Sequence, residues 1–276
     1  MNAQDHDEDT DRDACSSPDS LFDGELDACS LDGAITLLPA RRTAPPVPGL
    51  LFYPHILIQE SLARDVYAFC RRTYFTAAGA DQVMLFERAP AAQGRSERQE
   101  VDQRPPSGLP AILLSLLRAI SESLALVLPP DVHALLFSAA PKRARQIIVN
   151  LYAPGEGISA HVDLLKRYGD GIVGVSFGSG CVMRFSDVGD DAAANESYNP
   201  GTKKDDGGER EFYDVYLPER SFYVMMGDAR YRWTHGIERR REDYVETEDG
   251  DKAEWIGRGE RLSVTFRWML EGGDVL

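Results

Sequence analysis

The 276-residue chain has only four cysteines, Cys15, Cys29, Cys70 and Cys181, far apart and with no CxxC among them. That spacing argues against a disulfide frame and against a cysteine zinc site, and it reads as free thiols in a reducing compartment. No run of about 18 apolar residues occurs, so no membrane-spanning helix is expected. Arg118 breaks the best stretch, residues 111–120. The acidic opening lacks the apolar core of a secretory signal, and an intracellular protein of the cytoplasm or nucleus is expected. Basic charge is short as well: 30 Lys and Arg stand against 45 Asp and Glu, a net of −15. Residues 1–40 hold 11 acids and one Arg, which leaves −5 for residues 41–276. The body of the chain therefore exerts no general pull on a polyanion. The local clusters Arg71-Arg72, Lys142-Arg143-Ala-Arg145 and Arg239-Arg240-Arg241 read as solvated faces.

Against these absences, an apolar fraction of 43% fits a globular protein with ample core. Residues 1–40 form an acidic tail expected to be disordered, and residues 41–276 one domain. An entry strand begins at Gly49. Apolar residues then recur at helical spacing over Gln59–Arg72 and again over Leu109–Leu128, where Pro129-Pro130 stops the helix. Gln82–Phe86 reads as a strand, followed by a long polar loop, 87–108. From residue 146 onward the chain is strand after strand: Gln146–Tyr152, Ile172–Phe177, Cys181–Phe185, Phe212–Leu217, Ser221–Met226 and Arg261–Met269. Two charged inserts, 186–211 and 238–260, are expected as surface excursions. The fold class is α+β, mainly β: a double-stranded β-helix, or jelly roll, buttressed by N-terminal helices.

The chemistry gathers around residues 150–163, which end in His161-Val-Asp163. In an extended segment, period-two alternation aims both side chains at one face. A further His on a neighbouring strand would complete two imidazoles and one carboxylate, the facial triad of a non-haem Fe(II) site; His235 is the candidate. His55 and His133 lack such companions and are assigned no chemistry. On the last strand, Arg261, Ser263, Thr265 and Arg267 share a face. Two inward Arg imply a dicarboxylate or phosphate ligand, unless that face meets solvent.

Taken together, Asn150-x-Tyr152, Pro154-Gly-x-Gly-Ile, His161-x-Asp163, Val173-x-Val-Ser-Phe-Gly, Gly227-Asp-Ala-Arg-Tyr-x-Trp-Thr-His235-Gly-Ile and Arg261-x5-Arg267 resemble the AlkB-like branch of the Fe(II)- and 2-oxoglutarate-dependent dioxygenases. The resemblance covers residues 48–270 or so and is densest from residue 146. It implies that His161, Asp163 and His235 hold Fe(II), and that Arg261 pairs with the distal carboxylate of 2-oxoglutarate, helped by Tyr152 and Asn150. Arg267 would lie by the metal-proximal carboxylate. Ser263 stands where some relatives have Asn and is still a donor. The implied reaction uses O2 to convert 2-oxoglutarate to succinate and CO2 while a substrate C–H is hydroxylated. At an N-methyl group the product would collapse to formaldehyde and the demethylated amine.

The family implies alkylated DNA or RNA, or a tRNA base, as the substrate partner. The loop at 87–108, with Arg88, Arg95 and Arg98, lies where family lids hold a flipped base. Val182-Met-Arg-Phe185 and Ala229-Arg-Tyr231 resemble protein-directed branches, so a protein substrate stays open. Two other readings are a zinc hydrolase on the same three ligands, which leaves both Arg unexplained, and a silent jelly-roll scaffold. A monomer with no membrane partner is expected.

Overall fold

A computed structural model describes residues 37–87, 108–137, 144–188 and 211–270. Twelve strands and four helices follow in the order β1 (Leu50–Phe52), α1 (Glu60–Tyr74), β2 (Gln82–Phe86), α2 (Ala111–Leu124), α3 (Pro130–Leu136), β3 (Arg145–Tyr152), β4 (Ile158–His161), β5 (Ile172–Phe177), β6 (Cys181–Asp187), β7 (Phe212–Leu217), β8 (Phe222–Met225), α4 (Asp228–Tyr231), β9 (Trp233–Ile237), β10 (Glu242–Glu246), β11 (Ala253–Gly257) and β12 (Arg261–Trp268). The expected acidic tail to residue 36, the lid loop with Arg88, Arg95 and Arg98, the Lys142-Arg143 pair and the interior of the first insert lie outside the described residues.

Two antiparallel sheets face each other. The larger has the order β1-β8-β5-β12-β3-β2 and the smaller β4-β9-β6-β7. Alternation along the central strands sorts the chemistry onto one side. Leu262, Val264 and Phe266 of β12, with Ile147 and Val149 of β3, turn outward into a core shared with the helices. Arg261, Ser263, Thr265 and Arg267 therefore turn inward, toward the smaller sheet. Helix α2 forms because Leu113, Leu116, Leu117, Ile120 and Leu124 recur at three- and four-residue steps and bury one face. Pro129 and Pro130 end that run but also begin α3, where Pro130 sits in the first turn and has no N–H to lose. His133 closes the junction, its Nε2 lying 3.1 Å from Ser121 Oγ and 2.9 Å from Ser121 O. The helices thus buttress the outer face of the larger sheet, and the jelly-roll architecture is as expected.

Two expectations need correction. The tail was bounded at residue 40, yet Ala40 is 1% exposed. It pairs in parallel with Val245, and Arg41 pairs with Val215. The packed body therefore begins before residue 41, because this short segment fills the gap between β7 and β10. The insert 238–260 is no loose excursion either. Its charge density conceals a hairpin, β10 with β11, whose Asp243 is buried at 1% exposure. Arg258 grips that carboxylate with two hydrogen bonds of 2.6 Å, Arg240 adds one at 2.8 Å, and the Val182 N–H one at 3.0 Å. Among the described residues no helix is long and apolar enough to cross a membrane.

Candidate metal centre

His161 and His235 stand directly opposite each other across β4 and β9. A β-bulge makes this pairing compatible with burial of the strand's start. Ile158 pairs with Ile237 and His161 with His235, so three steps on β4 oppose two on β9. The extra residue keeps both Ile158 and His161 on the inner face, where strict alternation would turn one of them out. The close approach also needs Gly236: a Cβ there would come within 2.8 Å of Ala160 Cα. The imidazole centroids are 4.3 Å apart. Asp163, two residues past His161 in the loop after β4, completes a group whose ligand atoms all lie within 4.8 Å of one another.

The donor set fits a divalent metal. His161 Nδ1 lies 2.9 Å from the Ser159 carbonyl, which makes it the N–H nitrogen and leaves Nε2 free to ligate. His235 Nε2 is 3.7 Å from Asp163 Oδ2. That oxygen is buried and has no hydrogen-bond donor, an expensive state for a carboxylate unless a cation meets it. Burial pushes His235 down to about 3, with His161 adding to the effect, and burial also lowers His161. Both imidazoles are thus neutral near pH 7, as ligands must be. Burial alone would raise the Asp163 carboxyl. The Arg267 guanidinium, then both imidazoles and Arg230, outweigh it and hold Asp163 below the usual carboxylate range. Two nitrogens and one oxygen on one face match a non-haem iron site.

Behind the triad, one cavity is lined by His161, His235, Asn150, Tyr152, Ser263, Arg261 and Arg267. Arg261 is 5% exposed. Its Nε and Nη2 donate to Ser176 Oγ at 3.1 and 2.8 Å, and its guanidinium sits 5.2 Å from the centre of the Tyr152 ring. Arg261 Nη1 is buried with no acceptor. A buried guanidinium with an unmatched N–H fits an anionic ligand, and a carboxylate is the natural one. The Tyr152 hydroxyl accepts from Asn150 Nδ2 at 3.3 Å, and Asn150 Oδ1 accepts from Gln82 Nε2 at 3.0 Å. Ser263 lies opposite both Asn150 and Ser176 in the ladder. Arg267 lies beside the His-Asp-His group: its Nη2 is 2.6 Å from Asp163 Oδ1, and it rests 4.8 Å from the Tyr168 ring centre.

Every residue expected at the site from the sequence thus lies on or beside this cavity. Sequence reasoning missed three others. Ser176, inside the quoted Val-x-Val-Ser-Phe run, anchors Arg261. Tyr223 of β8 fills the floor, and Gly174 makes room for its ring, since a Cβ at 174 would fall 2.4 Å from Tyr223 Cζ. Arg230, also inside a quoted motif, is 1% exposed and reaches the Asp163 loop. No spacing signal marks any of them, because each acts on a partner far away in sequence. His55 is exposed.

A model of the 2OG-Fe(II) oxygenase superfamily matches residues 62–267. The chain is 39% identical over 126 residues to the uncharacterized protein L905 of Acanthamoeba polyphaga mimivirus, covering 46% of this chain and 49% of that protein. It is 31% identical over 182 residues to the mouse (Mus musculus) tRNA (carboxymethyluridine(34)-5-O)-methyltransferase ALKBH8, covering 62% of this chain and 22% of the relative. The N6-methyladenosine RNA demethylase ALKBH of Cryphonectria parasitica is 30% identical over 155 residues, 52% of this chain and 65% of that protein. The matched part therefore spans less than two thirds of each of these relatives.

Proposed function

The chain belongs to the 2OG-Fe(II) oxygenase superfamily, on its AlkB-like side, and on that premise we propose that it is a 2-oxoglutarate-dependent dioxygenase acting on alkylated nucleic acid. The observation that carries this reading is that the cavity lined by the two imidazoles of the His-Asp-His group is also lined by Arg261, whose Nη1 is buried with an unmatched N–H. A zinc hydrolase would need the first and not the second.

His161 Nε2, His235 Nε2 and an Asp163 oxygen would hold Fe(II). Together with 2-oxoglutarate and O2, the metal supplies oxidative decarboxylation to succinate and CO2 coupled to hydroxylation of a substrate C–H. The chain's own groups prepare that chemistry. Arg261 receives the distal carboxylate through its unmatched N–H, and Ser176 fixes the guanidinium so that little orientational freedom is lost on binding. Tyr152, Asn150 and Ser263 offer further donors along the same wall. Arg267 keeps Asp163 ionised and aims it toward the imidazoles. Ile148, Val175, Met183 and Ile237 give the cavity an apolar wall between these polar groups.

The nucleic-acid substrate is supported by the activities for which two relatives are named, a tRNA methyltransferase and an RNA demethylase. The net charge of −15 works against it and favours a protein substrate as the second reading. The catalytic domain begins just before residue 41 and works as an intracellular monomer, with the acidic residues ahead of it as an arm. The substrate is tested by succinate and formaldehyde release from Fe(II)-loaded protein given 2-oxoglutarate and O2, with methylated RNA, methylated DNA or a methylated peptide pool. Stimulation by nucleic acid is expected. Stimulation by peptide alone would move the enzyme to a protein substrate.

A further inference from the structure

Asp163 is the one member of the triad that no strand ladder holds. β4 ends at His161, and residues 162–164 have no regular structure. A carboxylate on a free loop would sample many directions and bind metal poorly. Arg267 steadies the side chain through Oδ1, and Arg230 supplies the restraint on the backbone that carries it. From α4 its Nη1 donates to the Asp163 carbonyl at 2.9 Å, and its Nη2 donates to the Leu164 and Tyr168 carbonyls at 3.1 and 3.2 Å. The contact is returned: Asp170 Oδ1, at the far end of the same loop, accepts the N–H of Gly227, just before α4, at 2.9 Å. Helix α4 runs on into β9 and His235. One short helix thus ties the loop of the second ligand to the strand of the third.

We propose that Arg230 is a positioning residue of the metal centre, its fork on the carbonyls of residues 163, 164 and 168 setting the direction in which Asp163 presents its free oxygen. The proposal rests on the metal reading of the triad. Ion pairing alone would be served by any cation, but three carbonyls spread over six residues require the planar, multi-donor geometry of a guanidinium. A lysine, a point charge on a flexible stem, meets one or two of them.

The test measures Co(II) binding and the Co(II) visible spectrum of the purified full chain, alongside the thermal midpoint of the metal-free protein. The variants are Arg230→Lys, Arg230→Met, His161→Ala and Arg258→Met. Arg258 is another buried Arg, in the Asp243 network and away from the triad. Arg230→Met is expected to bind Co(II) at least tenfold more weakly, with an altered spectrum when saturated, and Arg230→Lys to fall between. Arg258→Met is expected to lose thermal stability but keep the wild-type affinity and spectrum. Should Arg230→Met fail to fold, Arg230→Lys decides by the same comparison. Wild-type affinity and spectrum in a folded Arg230 variant would overturn the proposal and leave Arg230 a packing residue. If the wild type binds no Co(II), or binds it equally with His161→Ala, the metal reading itself fails.

Discussion

His161 and His235 are direct cross-strand partners, with ring centroids 4.3 Å apart, so the spacing of β4 and β9 sets the span of the candidate metal centre. Gly236 controls that spacing. In Gly236→Ala the new Cβ would meet Ala160 Cα at 2.8 Å and Ala160 N at 2.9 Å, both backbone atoms that cannot swing aside. The strands must part, at a cost of about 1–3 kcal/mol. The variant is expected to stay folded and to bind Fe(II) more weakly, measured by anaerobic titration.

Ser176 is the acceptor that aligns Arg261. Its hydroxyl is 1% exposed, so no water replaces it when it is removed. In Ser176→Ala the guanidinium gains rotational freedom and two more unmatched N–H groups. A hydrogen bond to a charged group is worth about 1.5–3 kcal/mol. The expected result is a KM for 2-oxoglutarate raised about tenfold or more with kcat little changed, read from initial rates of succinate formation.

The buried Asp243–Arg258 pair makes a prediction about acid. Burial would raise the Asp243 carboxyl, but the hydrogen bonds and charge of Arg258, with the Val182 N–H and Arg240, hold it below its ordinary value. A depressed carboxyl adds stability that is full above the unfolded pKa, about 3.9, and is lost as pH falls through the folded value. Asp243→Asn leaves Arg258 and Arg240 without their anion, and at pH 7 it is expected to cost about 3–5 kcal/mol. The gap to wild type should begin to narrow only as pH falls below about 3.9 toward the depressed folded value, where wild type loses the charge as well. Urea melts from pH 7 to pH 3 measure this.

The sequence made the larger sheet and the triad legible because alternation and fixed spacing carry them. Arg261 and Arg267, six residues apart, had to share a face of β12, and they do. His161 and Asp163 were placed on one face by the same rule, yet only His161 is on a strand; Asp163 is held instead by Arg267 at its side chain and Arg230 at its carbonyl. The hairpin β10–β11 was illegible because a buried ion pair looks, in sequence, like any charged loop. Asp243 and Arg258 are 15 residues apart and surrounded by exposed acids. Helix α4 has four residues, too few to show a period. Ser176 and Tyr223 contribute through long-range contacts that no local pattern records.

The most direct test of the whole account is succinate formation from 2-oxoglutarate by anaerobically Fe(II)-loaded protein after O2 is admitted, compared with His161→Ala and Arg261→Met. Iron-dependent succinate is expected from the wild type, none from His161→Ala, and a strongly raised 2-oxoglutarate requirement in Arg261→Met. Succinate no higher from the wild type than from His161→Ala would contradict it.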